Sequence, residues 1–189
     1  MLLGMVEVVT DAHLRADARR NRDAVLAAAR EVFAATGLDA PLNEIARRAG
    51  VGQGTLYRRF PTRQALIEAI VDDYLAELRE IAGRVGDGPD AFIALFEEAV
   101  ELQSENQGLV DLLATYPLPE PTMSERRNAY LSMFAAPLCS AQQAGRVRKD
   151  LETDDVSLLL RMVGAAGRDA RRPDALSRSL ELARGALRP

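Results

Sequence analysis

Cysteine, histidine and tryptophan are scarce in this sequence. Its 189 residues include one cysteine, one histidine and no tryptophan. A single cysteine cannot form an intrachain disulfide, so the disulfide framework typical of small secreted proteins is excluded. The apolar neighbours Leu138 and Ala141 predict a buried, unreactive position for Cys139. Because His13 stands alone and no cluster has metal-ligand spacing, we predict no metal, no cofactor and no catalytic residues.

Long apolar runs are missing as well. No stretch approaches the roughly 18 residues that a membrane-spanning helix needs. The first residues, MLLGMVEVVTD, lack the basic flank of a signal peptide. We therefore expect a cytoplasmic protein without membrane partners. Alternating strand patterns are also absent, while Ala, Leu, Arg and Glu dominate, so we predict an all-α fold.

Charge is distributed unevenly along the chain. The net charge is −4, yet the segment from Arg15 to Arg63 holds ten arginines and five acidic residues, a local charge of +5. The remaining residues carry −9. A basic segment on an acidic protein is typical of a molecule that presents one face to a polyanion such as DNA.

Two short helices joined by a glycine-containing turn are predicted between Leu42 and Leu66. Gly50 ends the first helix and Pro61 follows the second. This is the pattern of a helix-turn-helix, whose second helix enters the major groove of DNA. The second helix closes with Tyr57–Arg59, side chains that suit phosphates and guanine edges better than an ordinary helix surface.

The spacing of apolar residues divides the chain into three parts. Residues 1–20 lack a sustained pattern and are predicted to form a flexible arm, whose arginines would either contact phosphates or be solvated. Residues 21–66, the head, contain the helix-turn-helix, and residues 67–189, the body, contain further helices. Thr62 is placed to cap a long helix that joins head and body. The helices are predicted near residues 21–36, 41–49, 53–59, 63–85, 90–104, 109–115, 123–143, 154–168 and 174–187, with an interruption or kink at Pro137.

Base contacts are predicted at the exposed positions of the second short helix. Gln53 and Thr55 are placed to hydrogen-bond base edges, and Gly54 leaves room for the backbone to approach DNA closely. Arg58 and Arg59 can reach phosphates or guanines.

The sequence IARRAGVGQGTLYRRFPTR and the long helix after it resemble the tetracycline-repressor (TetR) family of bacterial regulators. The resemblance covers about residues 23–75, where the matching positions are Phe33, Gly37, Ile45, Ala46, Ala49, Gly50, Val51, Gly54, Thr55, Leu56, Tyr57, Phe60 and Leu66. It implies a DNA-binding transcriptional regulator, most often a repressor. It also implies a body whose bound effector shifts the long helix and moves the two heads of a dimer out of register.

Phosphate contacts follow from the same resemblance. Tyr57 matches a tyrosine whose hydroxyl binds phosphate, and Arg63 replaces a lysine that contacts phosphate at the start of the long helix. Asn43 and Arg47 point outward from the first short helix and would clamp the DNA backbone, or else form an ordinary solvated face.

Two positions depart from the family pattern. Gly52 stands where a serine cap is common, so the second short helix has a weaker N-cap. Leu42 stands where many members place a hydroxyl residue that touches DNA.

A single head makes too few contacts for specific recognition, so we expect a two-fold homodimer. Such a dimer reads an inverted repeat with its half-sites roughly 34–36 Å apart. In TetR-like proteins the last two helices form the dimer interface, and Gly164 would allow them to approach closely. The candidate interface residues are Leu158, Leu159, Met162, Val163, Leu176, Leu180, Ala183 and Leu187. The alternative is that these faces belong to the core of each monomer.

Methionine and aromatic side chains in the body are candidates to line an effector pocket. They are Phe92, Phe96, Leu112, Leu113, Met123, Tyr130, Met133, Phe134 and Met162. Such side chains form adaptable apolar cavities, although the same stripe is common in an ordinary core. Gln103, Glu105 and Asn106 are candidates to orient a polar group of the effector.

Two other functional classes are weighed against a regulator. An all-helical scaffold would contact protein instead of DNA, and removing Arg58 and Arg59 would then leave any DNA binding unchanged. An enzyme is disfavoured, because adjacent carboxylates such as Asp72 and Asp73 diverge around a helix and suit solvated or capping roles.

Overall fold

Helices make up most of the part of the chain that the structure describes. The computed structural model describes residues 2–106, 119–120, 122–166 and 174–189, with side chains from residue 16 onward. The helices in these ranges are α1 (Leu2–Thr36), α2 (Leu42–Arg48), α3 (Gln53–Arg59), α4 (Arg63–Val85), α5 (Ala91–Glu105), α6 (Thr122–Gln143), α7 (Thr153–Ala166) and α8 (Ala175–Leu187). These ranges contain no strand, which confirms the predicted all-α class.

Helix α1 begins much earlier than the sequence analysis predicts. A flexible arm is predicted for residues 1–20, but residues 2–36 form one continuous helix. The prediction was wrong because it required amphipathic spacing. Alanine, leucine and arginine favour a helix by intrinsic propensity alone, and no proline interrupts this segment.

A first buried cluster, the head core, is formed by α1, α2, α3 and the first half of α4. Leu26, Ile45, Leu56 and Ile70 from these four helices are each at most 1% exposed. Burial of each such side chain contributes about 1.5–3 kcal/mol. The cluster continues along α4 to Leu75, past residue 66 at which the sequence analysis ends the head.

The turn between α2 and α3 depends on one glycine. Gly50 has a φ of +67°, a left-handed conformation that suits glycine. Its N–H donates to the carbonyl oxygen of Arg47 at 3.2 Å, and the N–H of Val51 donates to that of Ala46 at 3.0 Å. These bonds satisfy the last carbonyls of α2 and aim α3 away from it.

Helix α4 has the bounds that the sequence predicts and passes through both halves of the protein. Thr62 caps it as predicted, since its Oγ1 accepts a hydrogen bond from the N–H of Ala65 at 3.0 Å. The helix ends at Val85, where Gly86 takes a φ of +77°. Its first half lies in the head core, whereas Leu78 lies in the core of the body.

A second buried cluster, the body core, is built around α5. Phe92, Leu95 and Phe96 of α5 are 0% exposed, as is Phe134 of α6. Helix α5 packs against α4, α6 and α7, and α8 packs against α7. The predicted bounds of these body helices are correct to within two residues.

Helix α6 differs from its prediction in two respects. It continues through the buried Pro137 without the interruption that the sequence analysis allows for. Cys139, predicted to be buried, is exposed. Its neighbour Leu138 is buried, and one further residue turns the cysteine to the outer face of the helix. The helix predicted near residues 109–115 lies outside the described residues.

Candidate nucleic-acid interface

Helix α3 is attached to the head by two buried side chains and exposes most of its remaining surface. Leu56 is 1% exposed and Phe60 is 5% exposed, as the matching family positions imply. The exposed residues of the helix are Gln53, Gly54, Tyr57, Arg58 and Arg59. Tyr57 is 47% exposed, so its ring and hydroxyl are available to an external partner. The outward presentation that a DNA-reading helix requires is therefore present.

The N-terminal half of α3 offers space and hydrogen-bonding groups. A Cβ atom added to Gly54 would meet no atom within 4 Å, so the packing of the protein does not itself require glycine there. Thr55 is half-buried, and its Oγ1 accepts a hydrogen bond from Nη2 of Arg58 at 3.3 Å. This bond places the Arg58 guanidinium beside Thr55 on the exposed side of the helix.

Helix α2 adds a polar rim beside α3. Asn43 and Arg47 are both exposed, and they line an open groove of about 610 Å³ that also includes Gln53 at the start of α3. The structure therefore brings these three predicted contacts to one surface.

Arg63 directs its guanidinium towards the loop before α2. Its Nη1 donates to the carbonyl oxygens of Leu38 and of Ala40, the latter at 2.7 Å, and its Cζ lies 5.9 Å from the centroid of the Phe33 ring. Charge-assisted bonds of this kind are among the stronger hydrogen bonds in proteins. The sequence analysis predicted only a phosphate contact for Arg63 and missed its bonds to the loop. No sequence pattern pairs a side chain with backbone carbonyls more than 20 residues away.

Both departures from the family pattern have local structural consequences. Leu42 is 9% exposed and belongs to the head core, so it makes a packing contact in place of the hydroxyl contact with DNA. Gly52 occupies the N-cap of α3 without any side-chain cap, as predicted.

Comparison with known proteins identifies this architecture. The model of bacterial regulatory proteins of the tetR family matches residues 25–70, and that of the C-terminal domain of SbtR-like transcriptional regulators matches residues 87–189. The chain belongs to the TetR family.

Individual relatives agree with this membership. A TetR regulator from Mycobacterium vanbaalenii has 37% identity over 93% of this chain and 99% of its own, with a TM-score of 0.68. The regulator SCO0520 from Streptomyces coelicolor has 35% identity over 89% of this chain and 98% of its own, with a TM-score of 0.67. The transcriptional regulator UidR from Escherichia coli K12 is 28% identical over 160 residues, covering 78% of this chain and 80% of UidR.

The TetR-family chain is accordingly a DNA-binding transcriptional regulator, and the scaffold alternative is not favoured. Its relatives are regulators rather than enzymes. None of the described helices has both the length and the apolar character to cross a bilayer. Within the same residues, no three His, Cys, Asp or Glu side chains are grouped to hold a metal ion.

The aromatic residues predicted to line an effector pocket fill the body core instead. Phe92, Phe96 and Phe134 are 0% exposed, so in this conformation they border no space that admits water. Met162 is 59% exposed on α7 and does not line the interior. Periodicity identified these residues as apolar, but it does not distinguish a filled core from an open one.

Three other pocket candidates lie where the two cores meet. Met123, Tyr130 and Met133 are partly buried and pack against the head core, and the last two also contact the body core. The remaining candidates, Leu112 and Leu113, lie outside the described residues.

Neutral polar groups accompany these side chains. Burial raises the pKa of Tyr74 to about 12, with a smaller effect from the charge of Glu77. Burial also raises the pKa of Tyr130, so both phenols are protonated at neutral pH and can donate a hydrogen bond.

Gln103 is only 5% exposed, and a Cβ added to Gly164 would lie 2.3 Å from its Nε2. Gly164 therefore makes room for an amide of its own chain.

The predicted dimer face divides between the surface and the core of the monomer. Leu158 is 49% exposed and Met162 is 59% exposed. The buried residues are Val163, Ala183 and Leu187, and the residues partly buried against the body core are Leu159, Leu176 and Leu180. The inward faces pack within the monomer, α7 against α5 and α8 against α7, which is the alternative that the sequence analysis left open. Leu182, which is 60% exposed on α8, is not among the interface residues that the sequence analysis predicts.

Proposed function

We propose that this TetR-family regulator binds an inverted-repeat operator as a two-fold homodimer in the cytoplasm and represses transcription there. A small molecule in the body releases it from the DNA. Residues 21–66 act as the reading head and residues 67–189 as the sensing and dimerising body, with α4 belonging to the cores of both.

The exposed surface of α3 carries this proposal. Leu56 and Phe60 fix the helix from below, while Gln53, Tyr57 and Arg59 remain free for an external partner. Gln53 and Thr55, beside Gly54, read base edges. Arg58 and Arg59 bind phosphates or guanines, while Tyr57, Arg63, Asn43 and Arg47 bind the phosphate backbone.

The dimer is supported by three large apolar side chains on the last two helices. Leu158, Met162 and Leu182 are about half-exposed or more, whereas the other large apolar residues of α7 and α8 are at least partly buried. Covering them with the same helices of a second copy forms a four-helix interface. A symmetric interface uses the same patch on both protomers.

The effector is an uncharged or weakly polar molecule that binds beside α4. Met123, Tyr130 and Met133 provide an adaptable apolar wall at the junction of the two cores, and the protonated phenols of Tyr74 and Tyr130 provide hydrogen bonds. An effector that favours the DNA-incompetent arrangement by about 1–3 kcal/mol changes operator occupancy substantially.

Selection of duplexes from random DNA with the purified chain tests the proposal. We expect a palindromic product whose half-sites are separated by about one helical turn. Substitution of Gln53 or Thr55 with alanine should change the selected sequence. Tyr57→Phe should instead weaken binding to all sequences similarly and leave its salt dependence unchanged, because the lost hydroxyl is uncharged. A chain that selects no sequence at low ionic strength lacks the proposed function.

A further inference from the structure

Two adjacent carboxylates stand on α4 at the level where the head core gives way to the body core. Asp72 and Asp73 lie between Val71, in the head core, and Tyr74, which packs against both cores. Successive residues of a helix point about 100° apart, so the two carboxylates face different neighbours. The sequence analysis assigns them solvated or capping roles. Asp72 is exposed, but both carboxylates also form ion pairs with other helices, which the sequence analysis did not predict.

Asp73 binds the head. Its Oδ1 accepts from Nη1 of Arg22 at 2.9 Å, and its Oδ2 accepts from Nη2 of Arg30 at 2.8 Å. Both arginines belong to α1, and all three side chains are between 23% and 28% exposed. Nη2 of Arg30 also donates to Glu77 of α4 at 3.3 Å. Helix α1 is therefore attached to α4 by several half-buried ion pairs.

Asp72 binds the body. Its Oδ1 accepts from Nε of Arg126 at 2.8 Å, and its Oδ2 accepts from Nη2 of the same arginine at 3.0 Å. This is the two-bond geometry that a carboxylate and a guanidinium prefer. Arg126 lies in the first turns of α6 and is 18% exposed, whereas Asp72 is 55% exposed.

The next residue of α6 extends the ion pairs to the helix that carries Leu158 and Met162. Nη2 of Arg127 donates to Oδ1 of Asp154 in α7 at 2.7 Å. Ion pairs thus follow one another from α7 through α6 and α4 to α1, from the proposed dimer face to the head.

We propose that Asp72 and Arg126 are positioning residues that fix the orientation of the head on the body and thereby set operator affinity. Asp73 keeps α1 attached to α4, so the head and α4 rotate together when the ion pair between Asp72 and Arg126 breaks. We expect this pair to break before the Asp73 pairs with α1, because Asp72 is more exposed than Asp73. The expected change in operator affinity rests on the proposed function. The expected change in the orientation of the head does not.

Spin labels on the full-length chain test the orientation without DNA. The exposed native Cys139 of α6 provides one site, and Ala35→Cys at the exposed end of α1 provides the other. Labelled protein is diluted into unlabelled protein, so that only distances within one protomer are recorded. We expect Arg126→Gln and Asp72→Asn to broaden the distance distribution. The double variant Asp72→Arg/Arg126→Asp should restore it.

Operator affinity provides the second measurement. Arg126→Gln and Asp72→Asn should each weaken binding to the selected operator at least about fivefold, and the double variant should regain most of the loss. Weakening by Asp72→Asn would be diagnostic, since loss of a negative charge alone favours DNA binding.

A matched control removes the same charge elsewhere. Arg148→Gln breaks a two-bond pair with Asp150, at 2.7 and 2.6 Å, that lies within a single loop of the body. We expect it to change neither measurement. An unchanged distribution in Arg126→Gln, or a broadened one with unchanged affinity, overturns the proposal. If no operator is selected at all, the proposed function fails, while the distances still report on the orientation.

Discussion

Single side chains in this protein have structural roles that residue type does not reveal. Arg63 would be a surface cation by composition, yet its guanidinium donates to two loop carbonyls and lies over Phe33. Asp72 and Asp73 differ by one position and contact opposite halves of the protein. Such pairings join residues far apart in sequence, so a local pattern cannot predict them.

The role of Arg63 in positioning the loop is open to a direct test. Arg63→Ala should lower the free energy of unfolding by about 1–2 kcal/mol, because two carbonyl oxygens lose a charged donor. Arg59→Ala removes the same charge from an exposed position of α3 and should change stability by no more than about 0.5 kcal/mol. Urea denaturation of both variants provides the measurement. Equal stability of the two variants would contradict the role drawn from the geometry.

Gly164 provides a second test at the residue scale. Alanine gains about 1 kcal/mol over glycine inside a helix, but here its Cβ would lie 2.3 Å from Nε2 of Gln103. We expect Gly164→Ala to be destabilising alone and stabilising in a Gln103→Ala background. Gly83→Ala, where no atom lies within 4 Å of the added Cβ, should be stabilising without a second change. Thermal unfolding of the four variants and the wild-type chain measures the coupling, and additive effects would exclude it.

Among the helices, those with local start and stop signals were the most predictable. The end of α3 and both ends of α4 were correct because Pro61, Thr62 and Gly86 each determine a boundary by backbone conformation or capping. The extent of α1 was wrong because propensity without amphipathicity leaves no such signal. For the DNA-contact candidates, helix-turn-helix spacing predicted which residues of α3 are exposed, since Leu56 and Phe60 fix its rotation.

The cap of α4 can be tested through Thr62. Thr62→Ala should destabilise the protein by about 1 kcal/mol, because the N–H of Ala65 loses its acceptor at 3.0 Å. Thr62→Ser keeps the hydroxyl and should cost much less. Chemical denaturation of the two variants compares them under identical conditions. A serine variant as unstable as the alanine variant would show that the methyl group, and not the cap, matters at this position.

For the molecule as a whole, the sequence predicted an all-helical regulator but not which faces remain outside. Helices α7 and α8 carry both buried and exposed apolar residues, and periodicity does not decide which of them pack inside the monomer. The monomer core takes Val163, Ala183 and Leu187, which leaves Leu158, Met162 and Leu182 exposed. Which apolar residues of α7 and α8 are buried and which are exposed follows only from the packing of the helices in three dimensions.

The exposed face predicts how the protein assembles. Met162→Lys/Leu182→Lys should convert a dimer to a folded monomer, because covering two ammonium groups with apolar surface is unfavourable. Light scattering after size-exclusion chromatography measures the mass, and circular dichroism checks the helical content. Ala144→Lys, at an exposed position after α6, is the control. A double variant that remains dimeric would place the interface elsewhere.

The course of α4 through both cores limits how the protein can be divided. A fragment that ends at residue 66 would lose Ile67, Ile70, Val71 and Leu75, each at most 7% exposed. Such a fragment would expose the part of the head core that packs beneath α3, and we expect it to aggregate or unfold. A chimera that exchanges DNA specificity between two regulators should therefore transfer α4 whole, with the crossover at Gly86–Pro89. Its body core must then accommodate the side chains of the second half of the transferred α4.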